Sequence, residues 1–185
     1  MIGISNSDLD RLSREFNIPV NVIKTVDAVE SGGKGFNYDG KIIIQFEPSW
    51  FKRLFPLWRN NDGVWSKNGV EGQSKEWIAF NNAFSKNKNS AMESTSIGRM
   101  QVMGFHWKKL GFNSVGAMWD FPKVSEYNQL WLGIKFISLN SKMMNALKNL
   151  DWDTFAYYYN GPLYKNFDYH NKLKKTYNSF NSLNK

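Results

Sequence analysis

Apolar residues recur at three-to-four-residue spacing along most of the chain, the period of amphipathic helices. Leu9, Leu12 and Phe16 follow Ser7, so the pattern predicts a first helix capped by Ser7 and ending at Phe16. Asn17-Ile18-Pro19 breaks it, and Pro19 suits the first turn of a second helix carrying Val22, Ile23, Val26 and Val29. Ser31-Gly32-Gly33 reads as that helix's stop. Over 35–47 the period changes: Asp39-Gly40 is a turn signal and 41–46 is a β-branched run, which predicts a short antiparallel hairpin. The polar stretch 60–74 predicts a surface loop or flap. Helical spacing returns at 75–84, 100–110, 125–139, 141–150, 152–159 and 168–180. These elements describe one α+β domain over 1–185, mostly α, with the small hairpin as one wall of a cleft and the helical lobe as the other.

Composition narrows the class. With 14 Phe, 8 Trp and 8 Tyr in 185 residues, the chain has ample surface to bury and is not disordered. It has no Cys, which removes disulfides, thiolate nucleophiles and Cys-based zinc sites. His106 and His170 alone do not make a histidine metal centre, so neither metal nor cofactor is expected. A net charge of +8 favours polyanionic partners (nucleic acid, an anionic membrane, an acidic wall), or is simply a solvated basic surface. No apolar run approaches the roughly 20 residues that span a bilayer, so no stable membrane insertion is expected. The start lacks the basic and apolar stretches of a signal peptide. The expectation is a product made in the cytoplasm that reaches any outside target through another factor.

One residue type in one place suggests chemistry. Glu30 closes the second predicted helix four residues after Val26 and seven after Ile23, on the apolar face. Lost hydration and the negative end of the helix dipole both favour its protonated form. Two glycines follow, leaving the backbone approachable. A carboxylic acid kept protonated near neutral pH can donate to a glycosidic leaving oxygen. The plain alternative is a helix-end Glu turned to solvent.

The segment AVESGGKGF (28–36) is similar to the Glu-Ser element of the lysozyme-like superfamily of goose-type lysozymes and soluble lytic transglycosylases. STSIGRMQVMG (94–104) and AYYYNGPLY (156–164) resemble its Ser-x-Gly-x-Met-Gln and Tyr-Asn-x-Gly elements. With Phe46-Glu47, Ala91-Met92-Glu93-Ser94 and Asp151-Trp152 in the same order, nearly the whole chain resembles the N-acetylmuramidase family of phage endolysins. The resemblance implies a lysozyme-like fold and cleavage of the β-1,4 bond between N-acetylmuramic acid and N-acetylglucosamine, with Glu30 as catalytic acid. It further implies peptidoglycan glycan strands as the partner, a monomer, and substrate contacts from Ser31, Gln101, Tyr159, Asn160 and Gly161. The chain departs from the family pattern twice. Ser49 stands where a His usually follows the Phe-Glu pair, and Ile97 where an aromatic is usual.

A second carboxylate is open. Glu47 ends the predicted strand on the face of Ile43 and Gln45, or is a surface charge paired with Arg53. Glu93 precedes Ser94-Thr95-Ser96 and can orient that loop, or is a helix-end charge. Three other readings remain: a lytic transglycosylase giving anhydro products, a non-catalytic wall-binding protein, and a nucleic-acid-binding domain. The last has no recognisable motif, and its lysines are scattered over many segments, so no nucleic-acid partner is expected.

Overall fold

The computed structural model describes residues 3–58 and 72–182. In chain order its elements are α1 (Asn6–Phe16), α2 (Val20–Ser31), β1 (Ile44–Phe46), α3 (Pro48–Leu54), α4 (Gln73–Lys86), α5 (Lys88–Glu93), β2 (Thr95–Ile97), β3 (Val102–Met103), α6 (Val115–Lys123), α7 (Glu126–Ser138), α8 (Ser141–Lys148), α9 (Trp152–Asn160) and α10 (Tyr169–Ser182). Two 3-10 turns, Gly104–His106 and Tyr164–Phe167, complete the set. The result is a mostly helical α+β fold, as the apolar spacing predicts. No described helix is long and apolar enough to cross a membrane.

The chain divides into two compact units, Met1–Gly33 with Leu130–Lys185, and Lys34–Gln129. In the first, α2 packs against α1 and α10, and α9 packs against α8 and α10. Its core is apolar: Leu12, Val22, Ile23, Val26, Leu130, Ile134, Ile137, Phe155 and Leu173 are buried. Helix α1 starts two residues earlier than the sequence suggests. Ser5, not Ser7, is the N-cap, and it forms a reciprocal capping box with Asp8. Helix α2 ends as read, with Gly32 left-handed at φ 58.

The second unit holds the sheet, ordered β1-β2-β3 and antiparallel throughout. The predicted hairpin is only partly there. Gly40 makes the turn at φ 79, but the pairing across it is a single bridge, Phe36 to Ile42. The strand proper, β1, takes its partner from far along the chain: Ile44 faces Ile97 and Phe46 faces Thr95. The helix expected over 100–110 does not form. Gly98 and Gln101 adopt left-handed φ values of 75 and 47, which turn the chain back so that Val102 pairs with Ile97. Gly104 then lies so close to α5 that a Cβ there would sit 2.0 Å from the Met92 carbonyl oxygen.

Past the end of α5, Ser94 Oγ donates to Ser90 O and Thr95 Oγ1 to Ala91 O, which satisfies carbonyls of its last turns. The short helices α3, α5 and α6 have no counterpart among the predicted elements. Most of the stretch predicted as a loop or flap, 60–74, lies outside the described residues; its end, from Gln73, opens α4.

Candidate active site

In the first unit, α2, α9 and α10 meet around the Glu30 carboxyl. Glu30 is the penultimate residue of α2, one turn beyond buried Val26, and is itself half-buried. Asn160, the last residue of α9, donates its Nδ2 to both carboxyl oxygens at 3.3 Å. The charge of Lys172 on α10 pulls the Glu30 pKa down, but burial outweighs it and raises the pKa to about 7. At neutral pH about half of Glu30 is therefore protonated and able to give up a proton.

The neighbouring side chains hold this arrangement. The Tyr159 ring stacks on Phe155, with centroids 5.4 Å apart, and meets Phe136 edge-on at 6.4 Å. Burial, then the charge of Glu30 and Tyr169, pushes the Tyr159 phenol well above its ordinary value, so it stays a neutral donor. Gly161 ends α9 with φ 86 and ψ 179, a conformation essentially reserved for glycine. Its N–H closes the helix onto Tyr157 O, and its carbonyl accepts from Tyr164 N. The sharp exit of the chain at Gly161 is what leaves Asn160 at the helix end, beside Glu30. Asn160 Oδ1 is buried with no hydrogen-bond partner.

Ser31 is occupied locally. Its hydroxyl donates to Asp27 O and Asp27 Oδ1 and accepts from Gly33 N at 2.9 Å, which shapes the turn after the acid.

The other residues singled out in the sequence belong to the second unit. Gln101 bridges the sheet turn: its Nε2 donates to Gly98 O at 2.6 Å and Ile43 O at 3.3 Å, and its Oε1 accepts from Ser96 Oγ at 2.7 Å. Glu93 accepts from the Trp107 indole at 2.8 Å. Glu47 accepts from Gln45 Nε2 and stands at the N-cap of α3. The Arg53 guanidinium lies 4.7 Å over the Trp50 ring, which in turn stacks on Phe105.

Lys172 and Tyr169, which act on the Glu30–Tyr159 pair, are not among the predicted site residues. They lie about 140 positions from Glu30 in sequence, in a lysine-rich helix whose spacing marks no one lysine as different. Glu76 was also missed. It is fully buried in α4 and accepts from Phe46 N at 2.8 Å, so it anchors β1. Among the described residues, no cluster of His, Asp or Glu could hold a metal ion.

Comparison with known proteins gives the family and the fold. Residues 19–181 match the family model of N-acetylmuramidase. The fold is similar to the crystal structure of a Burkholderia AP3 phage endolysin, with a TM-score of 0.88 and 30% sequence identity, covering 99% of this chain and 72% of that one. No curated protein sequence matches significantly.

Proposed function

Since the chain belongs to the N-acetylmuramidase family, whose members cleave peptidoglycan, we propose that it hydrolyses the β-1,4 bond between N-acetylmuramic acid and N-acetylglucosamine with Glu30 as general acid, in phage-mediated lysis. The reading is supported above all by Glu30: a half-buried carboxyl with a pKa raised to about 7, touched by an amide rather than by a salt-bridging cation.

Protonated Glu30 gives its proton to the glycosidic oxygen as the bond to C1 breaks and an oxocarbenium-like sugar forms. Water then adds at C1, and the proton it releases restores the acid. Asn160 Nδ2 holds the carboxyl in place and stabilises the anion left after proton transfer. Burial keeps Tyr159 neutral beside Glu30. Gly161 leaves that end of α9 uncovered. Gln101 and Glu93 act through the turn and loop they tie down. The Glu47 carboxylate is held by Gln45 Nε2, and its role as a second acid stays open.

A turbidity assay on purified walls tests this. Glu30→Gln should lower clearing by at least about a hundredfold, the low end of a general acid's contribution. Equal clearing by both proteins would remove Glu30 from the mechanism. Mass spectrometry of released muropeptides reads the outcome at C1: hydrolysis adds a water for each bond cut, whereas attack by the muramic 6-hydroxyl adds none.

A further inference from the structure

A concave site lies in the first unit, where the N-terminal end of α9 meets α10. It is a cavity of about 340 Å³, within the range of ligand pockets. On α10 its walls come from His170, Lys174, Tyr177 and Asn178. On that helix Lys174 and Tyr177 are rotated by roughly half a turn from Lys172, the residue that acts on Glu30, so this is not the catalytic face.

The lining carries both signs of charge without internal neutralisation. Asp151 and Asp153 face it from the start of α9, and Lys174 from α10. Among the described residues none of the three makes an ion pair. Both carboxylates have lone pairs to spare: Asp151 Oδ1 caps Thr154 N, and Asp153 Oδ1 takes the Tyr164 hydroxyl. The cap also holds Asp151 below the usual carboxylate range, so it stays ionised. His170 lines the same cavity, and its Nδ1 is buried without a hydrogen-bond partner. Trp152 is almost fully buried, so the cavity offers no open indole face for stacking on a sugar. Asp151 is shared with an adjoining hollow of about 270 Å³, which gives room for a ligand longer than one residue.

We propose that this cavity binds the peptide stem of peptidoglycan, taking a free amino group on Asp151 and Asp153 and a carboxylate on Lys174. The ligand class rests on the muramidase reading; the cavity and its unpaired charges do not. A stem held there anchors the enzyme by the part of its substrate that is not cut.

The test is two-dimensional 1H–15N NMR of the full chain titrated with two probes. One is the sugar-free stem tetrapeptide containing diaminopimelate; the other is a peptide-free N-acetylglucosamine oligomer. The tetrapeptide should shift the Trp152 indole, His170 and Lys174 signals, and Lys174→Ala should weaken its binding about tenfold. Asp153→Asn should weaken it as well, with the Tyr164 contact kept by the amide oxygen. On stem-bearing walls Lys174→Ala should raise KM and leave kcat unchanged. Shifts there with the sugar oligomer alone, or equal tetrapeptide affinity in the wild type and both variants, would overturn the proposal. Since binding is read without turnover, a wild type that clears walls but does not bind the tetrapeptide counts against the cavity alone. A wild type that binds the tetrapeptide but clears no walls counts against the proposed reaction alone.

Discussion

Glu30 trades stability for a usable proton. Its carboxyl has a pKa of about 7 in the folded chain against 4.5 for the ordinary group. Between those values the folded state holds a proton that the unfolded state has lost. Its contribution is therefore fully present below pH 4.5, declines as pH rises through 7, and is gone above that. Glu30→Gln should match the wild type in stability near pH 4 and exceed it by about 3 kcal/mol at pH 8, a gap that denaturant melts at the two pH values measure directly. Activity should follow the protonated fraction and fall about tenfold for each pH unit above 7. Asn160 modulates the same equilibrium. Removing its donor with Asn160→Ala disfavours the anion, so the alkaline limb of the pH–rate profile should move up by about half a unit while the rate drops. A profile unmoved by Asn160→Ala would show that the amide does not touch the reacting carboxyl in solution. The burial of Glu30 is legible in the sequence because helix spacing puts it four residues from Val26. Its partners are not, because the helices α9 and α10 that supply them reach it only through tertiary packing.

At the scale of elements, predictions from period alone succeed where an element buries its own stripe and fail where long-range pairing decides. Helices α2, α7 and α9 lie within a residue or two of their apolar patterns. The segment after Gly98 has the apolar content of a helix, yet two left-handed residues and the pairing of Val102 with Ile97 make it a strand. Gly104 is the cost-sensitive point of that turn. With a Cβ placed 2.0 Å from the Met92 carbonyl, backbone must move, so Gly104→Ala should destabilise the chain by at least about 2 kcal/mol in thermal or denaturant unfolding. Full stability in that variant would mean the turn is looser than described. The Ser5–Asp8 capping box is present in the sequence as Ser-x-x-Asp, although Ser7 stands nearer the first apolar residue of the helix.

Across the whole molecule the net charge of +8 is a long-range force, not a site. Binding to anionic walls should weaken steeply as salt rises from about 0.05 to 0.5 M, while cleavage of short uncharged glycan fragments stays unchanged, because screening reaches exposed charges before a buried carboxyl. Pull-down on walls in parallel with fragment assays separates the two effects, and equal salt sensitivity in both would refute it. The sequence by itself determined the helical class, the two turns that frame the acid, and the acid's position on an apolar face, since each depends on neighbours within a few residues. Only the tertiary structure decided which amide meets that acid, which lysine tempers it, and which strand closes on Ile44–Phe46. Those contacts join positions far apart in the chain, and no local spacing records which distant groups burial brings together.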